Sequence, residues 1–129
     1  MDKQKELQQW FDLAKQNLGI AKFLAEKYHP TPVESICNNC QQSAEKDLKG
    51  YLFNNNVNFP FTHDLSELLA MCIELDTGFL KFTKQCTFLT RYGVAPKYPN
   101  DLQINYQDAN AAIRFAEDIK DFVVNLINN

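Results

Sequence analysis

Glycine and proline are scarce in this 129-residue chain, at four and five residues, so little interrupts the backbone and long continuous elements are expected. Arginine is scarcer still, with Arg91 and Arg114 alone. Two guanidinium groups are few for bidentate phosphate recognition. The formal net charge of -3 lacks the basic excess with which nucleic-acid-binding domains neutralise phosphates, and this argues against a general DNA binder. No apolar run approaches the length of a membrane span. The opening MDKQKELQQWFDLAKQ carries charges of both signs and has no apolar segment of the signal-peptide kind. A cytoplasmic chain is therefore expected, its four cysteines reduced. Strand-like alternation is also missing beyond a few residues.

What is present is ordinary for a globular protein: 45% hydrophobic and 22% charged residues. The length predicts one domain over residues 1–129, able to bury about two thirds of its unfolded surface without staples. Leu7, Trp10, Phe11, Ala14, Leu18, Ala21, Leu24 and Tyr28 recur at spacings of three and four, the apolar stripe of a helix. The HPTP at 29–32 ends it, and Thr31–Pro32 reads as an N-cap followed by proline at the first helical position. A second helix is expected from Pro32 to about Phe53, with Val33, Ile36, Cys37, Cys40, Ala44, Leu48 and Tyr51 or Leu52 inward. NNNVNFPF breaks it with turn-forming residues.

Asp64 and Glu67 open a third helix as a capping-box-like pair, whose stripe is Leu65, Leu68, Leu69, Cys72 and Ile73. A shorter helix is expected from about Phe79 to Tyr92, then a breaker-rich loop, GVAPKYPNDLQINY, and a last helix over 107–127. The fold class is all-α, an antiparallel helical bundle of four main helices plus a short fifth.

Several groups of residues invite a chemical reading. Cys37 and Cys40 form a CxxC, but a structural zinc needs four ligands and no second pair exists. Both fall on an inner helical stripe, where cysteine packs as a small hydrophobe. No metal and no cofactor is expected. His29, beside a proline at a helix end, suits the helix dipole. His63, between Thr62 and Asp64, reads either as part of a local polar turn or as a ligand contact or general base. Glu45, Lys46, Lys49, Lys97 and Tyr98 read singly as solvated surface. Glu45 and Lys49, four apart in the favourable order, form an exposed ion pair worth a few tenths of a kcal/mol on this reading. No phosphate loop, metalloprotease helix or serine elbow is present.

In order, WFDLAKQNLGIAKFL, ICNNCQQSAEKDLKGYL, FTHDLSELL and YGVAPKYPND…DANAAIRFAEDIKDFV resemble the HEPN (higher eukaryotes and prokaryotes nucleotide-binding) domain family. Its small prokaryotic branch carries an AEKALKA-like helix, a THDL-like step and an RYP-like loop. The resemblance spans about Trp10 to Val123. It implies a helical bundle, commonly a homodimer, often paired with a minimal nucleotidyltransferase in toxin–antitoxin-like modules, and a theme of nucleotide or RNA recognition.

Other HEPN branches are metal-independent ribonucleases that use an arginine followed four to six residues later by a histidine. Here His29 and His63 both precede Arg91 and Arg114, so no such pair can be drawn and no catalytic residue is assigned. The place five residues after Arg91 holds Pro96, with Tyr98 two further on. In some family members a tyrosine at that place is nucleotide-modified. Lys97-Tyr98-Pro99 also falls on the RYP-like motif, with lysine for arginine. The resemblance thus makes Lys46, Lys49, His63, Lys97 and Tyr98 the candidate site for nucleotide binding or partner modification. Three functions follow as expectations: a nucleotide- or RNA-recognising partner module, an unconventional ribonuclease, or a purely structural helical dimer.

Overall fold

The structure, a computed structural model, describes residues 2–93 and 106–129. It forms five α-helices over those residues: α1 (Lys3–Lys27), α2 (Val33–Asn54), α3 (Leu65–Leu75), α4 (Thr83–Thr90) and α5 (Tyr106–Asn128). A 3-10 segment, Thr77–Phe82, leads into α4. No strand occurs among the described residues. The all-helical bundle expected from periodicity is the observed fold. Among the described residues, no helix is long and apolar enough to cross a membrane.

Asp2 starts α1 by accepting the Lys5 amide at 2.9 Å, which satisfies one of the donors a helix start leaves open. Leu7, Ala14, Leu18 and Ala21 are buried against α2 and α5. Tyr28, expected on this stripe, is exposed because the backbone turns extended there and leaves the helix. The small residues of this face let α1 and α2 lie close together. Gly50 of α2 marks a tight approach: a Cβ there would lie 2.8 Å from Phe11 Cε1.

The start of α2 departs from expectation. Pro32 is itself the capping residue, with ψ 74 rather than a helical value, and no side chain caps the helix. At its other end the asparagine turn behaves as its composition implies. Asn56 takes φ 61, a left-handed conformation asparagine tolerates better than most residues. The Val57 amide then returns to Leu52 O at 3.0 Å, and Lys3 Nζ donates to Asn56 Oδ1 at 2.8 Å.

Asp64 caps α3 by accepting the Ser66 amide at 2.9 Å. The reciprocal half of a capping box is not made by Glu67, because the Asp64 amide donates to Thr62 Oγ1 instead. Thr90 Oγ1 accepts the Leu65 amide and donates to Cys86 O, tying the start of α3 to the end of α4. The expected helix from Phe79 begins as the 3-10 segment, since Asp76 captures the Gly78 amide at 2.7 Å and tightens the turn. Phe79, Phe82 and Phe122 stack edge to face beneath it.

One helix organises the rest. α2 packs against α1, α3, α4 and α5, and its buried positions run all round its circumference. The apolar stripe predicted for it is buried throughout. Gln41, Ser43, Glu45, Asp47 and Lys49 are buried too, and buried polar groups need partners. How they find them defines the site.

Candidate functional site

Gln41, Glu45 and Lys49 follow one another at intervals of four, so their side chains stack along a single face of α2. Glu45 is 4% exposed and Lys49 5%. This corrects the expectation that these two are solvated surface and form an exposed pair. Glu45 Oε2 accepts from Lys49 Nζ at 3.1 Å, and Glu45 Oε1 accepts from Gln41 Nε2 at 3.1 Å. In this low-dielectric setting the pair is held by charge-assisted hydrogen bonds that a solvated pair would not need.

The segment between α2 and α3 covers this face. Gln41 Nε2 also donates to the His63 carbonyl at 3.0 Å, which fixes the backbone of the THDL step onto α2. The His63 ring then turns back, with Nδ1 2.9 Å from Glu45 Oε1. Its side chain stays 47% exposed, so one edge is anchored in the core and the other meets solvent. Gly93, just past α4, completes the enclosure. A Cβ there would stand 3.1 Å from Gln41 Nε2 and 3.2 Å from the His63 carbonyl, an approach that favours the absence of a side chain. Gln41 Oε1 is buried without a partner among the described residues.

Aromatic rings frame the opening. Phe61 is 94% exposed and sits edge-on to His63, with centroids 5.7 Å apart. Lys49 Nζ lies 5.7 Å from the Phe61 centroid and 5.9 Å from that of Phe59, close enough for cation–π attraction. Phe59 packs in turn against Trp10 of α1.

Of the sequence-predicted site residues, the structure brings Lys49 and His63 together through Glu45. Lys46 belongs to a different face: one position on from Glu45 is about 100° round the helix. Its Nζ donates to Asn17 Oδ1 of α1 at 2.6 Å, and Asn17 holds Asn39. Burial, then Lys49, pull the Lys46 ammonium below its usual range, against the opposing pull of Glu45. Lys97 and Tyr98 lie outside the described residues. Sequence reasoning missed Gln41 and Phe61. A signal for Gln41 existed in the unbroken polar row 41-45-49 running beside an apolar stripe. Nothing local marked Phe61, since an aromatic residue in a loop reads as core.

All four cysteines are fully buried as free thiols. Burial pushes Cys37, Cys72 and Cys86 up to about 12 and raises Cys40 as well. Such thiols are poor nucleophiles and poor metal ligands. Among the described residues no three His, Cys, Asp or Glu side chains converge as a metal site requires. Two clefts between α4 and α5, of about 410 and 650 Å³, are lined by none of the motif residues.

Comparisons with known proteins agree with the all-helical fold. The family model for the HEPN domain matches residues 7–127. A crystal structure described as an archaeal HEPN homologue superposes with a TM-score of 0.73 at 23% identity, covering 94% of this chain and 97% of its own. The crystal structure of TT1696 from Thermus thermophilus also gives 0.73, at 22% identity, covering 92% and 96%. No curated protein sequence matches this chain significantly.

Proposed function

The chain belongs to the HEPN domain family, and from that premise we propose that it is a binding module for nucleotide or RNA, acting in the cytoplasm as a homodimer beside a minimal nucleotidyltransferase. The observation that carries this reading is the His63 ring, anchored by its inner edge to the buried Glu45 and open on its outer edge next to Phe61. A flat aromatic surface beside a polar ring edge is what an unpaired base and its sugar need. Lys49 does not offer a free charge to phosphate, because Glu45 neutralises it at 3.1 Å. Recognition on this account rests on stacking and hydrogen bonding more than on charge, in keeping with the net charge of -3.

A thermal-shift panel of nucleotides tests it, since a ligand that binds only the folded state stabilises that state. One nucleotide should raise the melting temperature, and His63→Ala or Phe61→Ala should diminish the rise. No shift with any nucleotide, and no co-purification with a co-expressed nucleotidyltransferase, would leave the purely structural dimer as the better account.

The Glu45–His63 contact also favours a second reading. A carboxylate on Nδ1 leaves the far nitrogen as a base, which is the equipment of an unconventional ribonuclease. Labelled RNA cleaved in the presence of chelator, and left intact by His63→Ala, would establish it. Intact RNA with the native protein would dismiss it.

A further inference from the structure

Helix α1 carries apolar residues on two sides, and the bundle consumes only one of them. Leu7, Ala14, Leu18 and Ala21 are buried inward. Along another side Trp10, Leu13, Asn17, Ile20 and Leu24 recur at alternating spacings of three and four, the seven-residue pattern by which one helix packs on another. Leu13 is 45% exposed, Ile20 41% and the neighbouring Phe23 62%, and none of the three belongs to the core. Single exposed apolar residues are ordinary, but an aligned row of them marks a contact surface. Gln9 and Gln16 border the row, so its middle is uncharged, with Glu6 at one end and Lys27 at the other.

This surface is complementary to itself. Let a second α1 lie against it in the antiparallel sense, with a two-fold axis between Gln16 and Asn17. Trp10 then faces Phe23 of the partner subunit, and Leu13 faces the partner's Ile20. Gln16 faces the partner's Asn17, and Glu6 faces the partner's Lys27. Apolar meets apolar, amide meets amide, and the end charges pair with opposite sign. A parallel arrangement would set each Glu6 and each Lys27 against its own counterpart, and like charges repel. Asn17 has bonding capacity left, because its Oδ1 accepts from Lys46 and its Nδ2 donates to Asn39. One lone pair and one N–H remain for the partner's Gln16. A hollow of about 210 Å³ lies between Glu6, Gln9, Trp10 and Leu13, at the place where the partner's Phe23 arrives.

We infer that the outer row of α1 is the face through which two copies of this chain pair, as antiparallel α1 helices with Phe23 of each seated beside Trp10 of the other. The inference rests on the homodimer of the reading above and gives it a surface; the nucleotide ligand plays no part in it. A helix face about 30 Å long and about 12 Å wide buries on the order of 1,000 Å² over both copies, the low end of specific interfaces, so a dimer of micromolar Kd is expected. Trp10 also packs against Phe59, which with Phe61 flanks Lys49. Pairing therefore makes the face continuous with the aromatic opening, and sets the two Trp10 anchors about 20 Å apart along the helix axis.

Analytical ultracentrifugation of the full-length protein tests it. The native chain should dimerise in the micromolar range. Ile20→Glu should weaken the dimer by about ten-fold or more, with far-ultraviolet circular dichroism unchanged because Ile20 lies outside the core. Phe23→Ser, at a still more exposed position, should do the same and guards against a folding defect peculiar to the first variant. Glu6→Lys and Lys27→Glu should each weaken the dimer, and the two together should restore it to within about three-fold of the native Kd, since the opposed charges are then merely exchanged. A native chain that stays monomeric at millimolar concentration would overturn both this face and the homodimer. A native dimer untouched by Ile20→Glu and Phe23→Ser would overturn the face and leave the homodimer standing. Loss of the dimer in those variants, without recovery when the charge reversals are combined, would overturn the antiparallel register.

Discussion

Asp47 lies at 0% exposure on α2, with one carboxylate oxygen 3.3 Å from Lys120 Nζ of α5 and the other without a partner among the described residues. Burial lifts its carboxyl to about 7, from an ordinary 3.8, against the opposing pull of Lys120. The folded protein therefore holds a proton that the unfolded chain releases. A folded-state pKa above the unfolded one gives stability that is full below about 4 and is lost as pH rises through about 7. A shift of roughly three units corresponds to about 4 kcal/mol over the whole range at about 1.4 kcal/mol per unit. Of this, about 2 to 3 kcal/mol falls between pH 5 and pH 8.

Urea denaturation at both pH values, on native protein and on Asp47→Asn, isolates this contribution, because every other titrating group is common to the two. The native protein should lose about 2 to 3 kcal/mol more than the variant on going from pH 5 to pH 8. Parallel profiles for the two proteins would refute the reasoning. They would mean that Asp47 stays ionised throughout and that its bond to Lys120 outweighs its burial.

Gly50→Ala should destabilise by about 1 to 3 kcal/mol, because its Cβ falls 2.8 Å from the Phe11 ring; Phe11→Leu in the same chain should recover part of the loss, as read by urea midpoints. The four buried thiols should stay unlabelled by a water-soluble disulfide reagent in the native protein and react together once denaturant unfolds it. Fast labelling of Cys37 or Cys40 alone would show that the start of α2 opens independently.

Legibility from sequence followed the range over which each interaction acts. Helices with one apolar stripe, α1, α3 and α5, could be read because period and face are local properties. The extent of α2 was equally readable, but its surroundings were not. Periodicity identifies the apolar face and is silent on whether another segment covers the polar one. Here residues 57–64 fold back over Gln41, Glu45 and Lys49, so a pair that looked exposed is interior. The His63–Glu45 contact spans 18 positions and could not be found from spacing. The THDL motif located its histidine without revealing its partner. Lys46 shows the converse: it was grouped with Lys49 by sequence proximity, while helical geometry sends it towards Asn17 of α1.

The position of α2 has a kinetic corollary. Because α1, α3, α4 and α5 all rest on it, removing any one of them opens a flank that carries buried polar groups as well as apolar ones. The middle of α2 is thereby covered on several sides at once. Amide hydrogens near the middle of α2, around Ala44 to Leu48, should therefore exchange only when the whole molecule opens, with a free energy equal to that of global unfolding. The Glu45 carboxylate that orients His63 is attached to this slowest-exchanging stretch, so the ring edge at the surface borrows its fixed direction from the last part of the protein to let go.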